Sequence, residues 1–105
     1  MQLTVSGRHV AVTDAMREHA RERVGRLDRM GSHLTRVAVT LSIEGERHMA
    51  EIVGKVRRRG EIVARHESHD MYLSIDQAAE KFEKQLRKME ARFKTRRESP
   101  RESES

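Results

Sequence analysis

Lys81, Lys84, Lys88 and Arg92 follow one another at spacings of three, four and four. On a helix with about 100° per residue they share one stripe, with no acid among them. Asp76, Glu80, Glu83 and Glu90 fall on a different face, where Glu83–Arg87 and Glu90–Lys94 stand at i,i+4 and can pair. One face thus neutralises itself while the other leaves its cations uncompensated. Neighbouring like charges cost a little helix stability, and a row of them suits a row of phosphates. Solvation is the plainer account of a charged helix face, but it does not explain the separation of signs. Ser74 and Gln77 extend the cationic stripe as neutral polar positions. A second basic group, His19, Arg23 and Arg26, flanks an earlier apolar stripe, although Glu22 can pair with Arg26. If the two helices lie side by side, these residues border the later stripe and widen the basic surface. Arg57-Arg58-Arg59 either touches RNA or forms a solvated hairpin tip.

Other chemistry finds little support. His66-x-x-His69-Asp70 offers two imidazoles, but two His three apart are too short a signal for a metal without further ligands. Asp70 also has a use as a helix N-cap. With no cysteine in the chain, disulfides, thiolate metal sites and thiol catalysis are excluded. No nucleophile–base pair or Gly-rich phosphate loop is visible, so binding rather than catalysis is expected, with no cofactor and no metal. Tyr72 can stack on a base, though packing its ring at the start of a helix is the plainer role. Met71 and Met89 fall in an apolar stripe and are assigned to the core.

Composition agrees with a binding domain. Leu, Ile, Val and Phe make up 21 of the 105 residues, a thin core for a single domain. The formal net charge is +5 and the pI is near 10.2, which favours a polyanionic partner without choosing among nucleic acid, membrane surface and acidic protein. Between Lys81 and Arg97 stand eight basic residues against two acids, so the positive field is concentrated on one element. No apolar run approaches the ~20 residues that span a bilayer. The N-terminus alternates like a strand and lacks a signal peptide's apolar region. A soluble, cytoplasmic protein with no membrane partner is expected.

The elements that must position these residues are legible from periodicity. Leu3 and Val5 alternate in a short strand closed by Gly7. Thr13 is an N-cap by residue type, with Asp14 at the positive end of the helix dipole. Met16, Ala20, Val24 and Leu27 form the buried stripe of the first helix, which Gly31-Ser32 ends. Val37, Val39, Leu41 and Ile43 alternate in a second strand, Glu44-Gly45-Glu46 is a turn, and Ala50, Ile52, Gly54 and Val56 make a third. The turn Arg57–Gly60 leads to Ile62 and Ala64 in a fourth. Asp70 caps a long second helix with Met71, Ile75, Ala78, Ala79, Phe82, Leu86, Met89 and Phe93 on its apolar side, running to about Arg97. The fold class is α+β: a β-α-β-β-β-α two-layer sandwich, with both helices on one face of a four-stranded sheet. Residues 1–97 form one domain, and 98–105 read as a disordered charged tail.

Four segments resemble the ribosome hibernation promoting factor family, which includes the ribosome-associated inhibitor called protein Y. They are Met1-Gln2-Leu3-Thr4-Val5-Ser6-Gly7, Val12-Thr13-Asp14-Ala15-Met16-Arg17, Asp70-Met71-Tyr72-Leu73-Ser74-Ile75-Asp76 and Lys81-Phe82-Glu83-Lys84-Gln85-Leu86-Arg87-Lys88. The resemblance covers residues 1 to about 95, and the Asp-Met-Tyr run with its basic helix is the most specific part. It implies binding to the small ribosomal subunit between head and body, against 16S rRNA and neighbouring ribosomal proteins. There the domain would overlap the sites of mRNA, tRNA and some initiation factors under stress or in stationary phase. Matched position by position, the rRNA-binding residues it implies are Arg23, Arg26, Lys81, Lys84, Lys88 and Arg92. Arg57, Arg58, Arg59 and Arg87 are further candidates for RNA contact. The resemblance also implies a monomer off the ribosome, the family's short form without a C-terminal dimerisation domain, and a separate ribosome modulation factor as a second partner. The chain departs from the pattern at Met30-Gly31, where relatives often place an aromatic. A general binder of structured RNA, recognising duplex by shape, is the alternative.

Overall fold

The structure is a computed structural model that describes residues 1–29 and 33–104, with side chains described as far as Arg92. Met30-Gly31 and the side chains of Phe93, Lys94, Arg96 and Arg97 lie outside the described residues. The element order is β1 (Gln2–Arg8), α1 (Asp14–Asp28), β2 (Leu34–Glu44), β3 (Arg47–Val56), β4 (Gly60–Ser68) and α2 (Met71–Glu104). The four strands lie in sequence order in a single sheet. β1 pairs parallel with β2 through the α1 crossover, and β2, β3 and β4 follow as antiparallel hairpins.

Both helices cover one face, as the two apolar stripes require. Val37, Val39 and Leu41 of β2, Ala50, Ile52 and Val56 of β3, and Ile62 and Ala64 of β4 are buried beneath them. α1 contributes Ala20, Val24 and Leu27, and α2 contributes Met71, Ile75, Ala78, Ala79, Phe82, Leu86 and Met89. Phe82 is the largest fully buried side chain, and its ring rests on Gly54 of β3. A Cβ at Gly54 would come within 2.8 Å of Phe82 Cε2, so the strand interior is open there for the ring.

Local signals account for the ends of the elements. Thr13 Oγ1 accepts from the Met16 amide at 3.1 Å as the N-cap of α1. Asp70 Oδ1 accepts from the Tyr72 amide at 3.0 Å, the capping role expected for it. Gly45 takes φ +63° in the β2–β3 turn, while in the β3–β4 turn Arg58 takes φ +63° and Gly60 +103°. β1 runs one residue past Gly7, to Arg8. α2 is continuous to Glu104, where the apolar periodicity ended it near Arg97. A helix already nucleated extends at little cost per residue, and its 34 residues, at ~1.5 Å each, far outrun the nine-residue β4 beneath.

Candidate nucleic-acid interface

α2 lies antiparallel to β4 at the outer edge of the sheet, and this fixes which flank faces which neighbour. Lys81 Nζ donates to the Arg65 carbonyl at 3.2 Å, and Gln85 Nε2 donates to the Val63 carbonyl at 3.0 Å. Both carbonyls belong to the residues of β4 whose side chains point away from the helices, and β4 has no further strand beside it. The cationic stripe therefore hangs over the free edge of the sheet. Lys84, Lys88 and Arg92 continue it, all exposed. Lys88 and Arg92 have no carboxylate within ion-pair distance among the described residues.

The stripe is not wholly without acids. Lys84 Nζ lies 3.9 Å from Glu80 Oε1, a loose i,i+4 contact between two exposed side chains. Such a pair is worth little in water, so Lys84 remains available to a phosphate. Ser74 does not extend the stripe: it is fully buried, donating to the His48 carbonyl at 2.6 Å and lying 2.6 Å from Ser68 Oγ. It sits at the margin between the polar and apolar faces, and its hydroxyl turns to the β3 backbone at His48.

The opposite flank of α2 faces α1, and here the structure corrects the expected widening of the basic surface. Arg23 Nε lies 3.1 Å from Asp76 Oδ1, and its Nη2 donates to the Asp76 carbonyl at 3.1 Å. His19 Nε2 meets the same Oδ1 at 2.7 Å, and the His19 ring stands edge-on to Tyr72 with centroids 5.2 Å apart. Arg23 and His19 are thus spent on holding the helices together, with an acid between them and the lysine stripe. Arg26 is exposed and has no ion pair among the described residues, with Glu22 included. Tyr72 packs at the start of α2, as its position suggested.

Two of the remaining candidates are also paired. Arg87 Nη2 lies 2.8 Å from Glu83 Oε2, the i,i+4 pair read from the sequence. Arg59 does not sit in a solvated tip: its side chain is only 10% exposed and its Nη1 lies 2.6 Å from Glu90 Oε1. Glu90 therefore pairs across to the hairpin, and a Glu90–Lys94 pair falls outside the described residues. Arg57 and Arg58 are exposed on the turn. His66 and His69 are not brought into a ligand set: His69 Nδ1 faces the Glu46 carbonyl at 3.3 Å, and no group of three or more His, Asp or Glu suited to a metal occurs among the described residues. No helix among them is long and apolar enough to cross a membrane.

The part of the surface made with the sheet is not visible in helix periodicity alone. Glu61 and Ile62 of β4 join Gln85, Lys88, Met89 and Arg92 of α2 around an open groove of about 270 Å³. Gln85 lies between the cationic and apolar stripes, which was the available signal.

Comparisons with known proteins agree with this architecture. The family model described as sigma 54 modulation protein / S30EA ribosomal protein matches residues 3–94. A ribosome hibernation promoting factor of Azotobacter vinelandii is 34% identical over 105 residues, spanning 100% of this chain and 97% of that protein. A ribosome hibernation promotion factor of Deinococcus radiodurans is 37% identical over 101 residues, 92% of this chain, which spans only 53% of that longer relative. Among solved structures, a ribosomal subunit interface protein from Coxiella burnetii superposes with a TM-score of 0.80 at 25% identity, over 87% of this chain and 99% of that one. The N-terminal domain of protein Y from Thermus thermophilus superposes at 0.75 with 31% identity, over 84% and 98%. With the family model matched across both helices and all four strands, the chain belongs to the sigma 54 modulation protein / S30EA ribosomal protein family.

Proposed function

We propose that residues 1–97 form a ribosome hibernation domain that binds the small ribosomal subunit over the decoding region and blocks mRNA and tRNA by occlusion, without catalysis. The observation that carries this is the row Lys81, Lys84, Lys88 and Arg92 along the free edge of the sheet, with Lys88 and Arg92 unpaired among the described residues. Phosphates of 16S rRNA are the ligands of that row, with counterion release supplying much of the affinity. Arg26, Arg57 and Arg58 are secondary contacts, since each is exposed and unpaired among the described residues. Arg23, Arg59 and Arg87 act through the field of the domain, because their guanidinium groups already face carboxylates. The domain acts in the cytoplasm as a monomer off the ribosome, with a separate ribosome modulation factor as a second partner. Residues 98–105 lie outside the binding unit.

Affinity for purified small subunits, measured across a salt series with mRNA and tRNA as competitors, tests this. The expected result is a steep linear fall of log affinity with log salt, and mutual exclusion with both competitors. A flat salt dependence contradicts the phosphate account. Equal affinity for free duplex RNA and for intact subunits favours the general RNA binder instead.

A further inference from the structure

The separation of signs that marks α2 recurs on the face of the sheet that no helix covers. Gln2, Arg36, Lys55 and Glu61 form one row across the four strands. Strand alternation sends this row to the open face, because the neighbouring Val37, Gly54, Val56 and Ile62 are buried beneath the helices. Arg36 and Lys55 are direct cross-strand partners, both exposed and neither in an ion pair among the described residues. Like charges set opposite each other destabilise a sheet. Glu61 stands opposite Lys55 on β4 but makes no ion pair with it. Further along the same face the charges are matched. Arg65 is the partner of Glu51, and Arg47 Nε lies 3.0 Å from Glu67 Oε2.

The β3–β4 turn carries the excess beyond the row. Arg57 and Arg58 are exposed there, with no ion pair among the described residues. The Arg57 amide donates to the His33 carbonyl at 2.8 Å, which holds the turn beside the start of β2, close to Arg36 in the chain. Arg58 takes φ +63°, a conformation that glycine or asparagine enters more readily. An arginine kept where the backbone is strained points to a use for its side chain. In this row and turn, Arg36, Lys55, Arg57 and Arg58 stand against the one acid Glu61.

The open face has little with which to read a base. Its middle row is Thr4, Ala38, Val53 and Val63. The chain's Phe and Tyr residues, Tyr72, Phe82 and Phe93, all lie on α2, and it has no Trp. Stacking of unpaired bases, the usual way an open four-stranded sheet takes RNA, therefore lacks its rings here. What the face offers is charge for a phosphate backbone, which is bound without reading sequence.

We propose that Arg36 and Lys55, continued by Arg57 and Arg58, form a second phosphate-binding surface on the open face of the sheet. The α2 row belongs to the other layer of the sandwich, so the two surfaces hold different stretches of RNA backbone. The inference rests on the proposed binding of ribosomal RNA and makes the domain a wedge between two backbone segments.

Arg36→Gln with Lys55→Gln tests it, because binding and structural roles move stability in opposite directions. Relief of like-charge repulsion leaves the urea midpoint equal or higher, whereas loss of a structural contact lowers it. Affinity for purified small subunits is measured across a salt series for wild type, for this variant, and for Arg47→Gln with Arg65→Gln. The last removes two charges from the same face where acids stand opposite. The expected result for the first variant is a loss on the order of tenfold, with the slope of log affinity against log salt reduced by about two. The control loses about threefold or less and keeps its slope. In native mass spectrometry at low salt, wild type and the control carry two copies of a short RNA duplex and the first variant carries one. A lowered urea midpoint, an unchanged slope, equal losses in the two variants, or a single duplex on wild type overturns the second surface and leaves the α2 row standing. Wild type that fails to bind subunits overturns both.

Discussion

Arg59 Nη1 lies 2.6 Å from Glu90 Oε1, so the β3–β4 turn is tied to the second half of α2 just where that helix leaves the sheet. Arg59 is nearly enclosed, and Glu90 is about one-third exposed. Replacing Glu90 by Ala removes a charged partner from a nearly enclosed guanidinium, at a cost of about 1–3 kcal/mol. Urea denaturation of Glu90→Ala, Arg59→Met and the double variant measures it. A double variant less destabilised than the sum of the singles is the expected sign of direct coupling.

Asp76 plays the corresponding part between the helices: its carboxylate meets His19 and lies within ion-pair distance of Arg23, which donates to its backbone carbonyl. Asp76→Asn keeps the shape and removes the charge, and the expected loss is about 1–2 kcal/mol for the His19 hydrogen bond and the Arg23 ion pair together. Arg23→Gln in the Asp76→Asn background should then cost less than it does alone, since only its bond to the backbone carbonyl of residue 76 is left to lose. Thermal unfolding followed by circular dichroism checks both, and full additivity of the two changes contradicts the contact.

Much of this frame is legible in the amino-acid sequence alone. Val37, Val39, Leu41 and Ile43 alternate, and the apolar spacing of α2 places Phe82, Leu86 and Met89 correctly in the core. Thr13 and Asp70 cap the helices that their residue types suggest. Periodicity assigns a residue to a face of its own element, but it does not say which neighbour that face meets. Arg23–Asp76 and Arg59–Glu90 join residues 53 and 31 apart in sequence, so both pairs depend on how the helices are laid across the sheet. Ser74 shows the same limit at closer range: its place at the edge of the stripe is compatible with either side, and packing against His48 decides.

Phe82 on Gly54 gives a third test, of the packing under the cation row. Gly54→Ala forces a methyl group against the Phe82 ring and should cost about 1–3 kcal/mol by overpacking. Phe82→Ala should cost about 3–5 kcal/mol by leaving a cavity. Gly54→Ala combined with Phe82→Leu should recover part of the loss, as measured by denaturant midpoint. No recovery contradicts a direct contact.

Lys81 and Gln85 satisfy outward carbonyls of β4, an edge strand. Edge strands with free backbone groups are templates for pairing with another chain. Lys81→Ala with Gln85→Ala should therefore raise self-association, seen as a concentration-dependent increase in mass by light scattering. A variant that stays monomeric at every concentration contradicts the protective role.

The central claim is that rRNA is bound by the cation row along the sheet edge, not by net charge. Lys84→Glu with Lys88→Glu reverses two exposed cations of that row, whereas Arg47→Glu with Arg87→Glu makes the same change in charge at cations already paired with Glu67 and Glu83. Affinity of both double variants for purified small subunits, with circular dichroism as the check on folding, is the most direct measurement. The row predicts a loss of roughly a hundredfold or more for the first and roughly tenfold or less for the second, since direct phosphate contacts carry the binding. Equal losses in the two variants, with both folded, would contradict it.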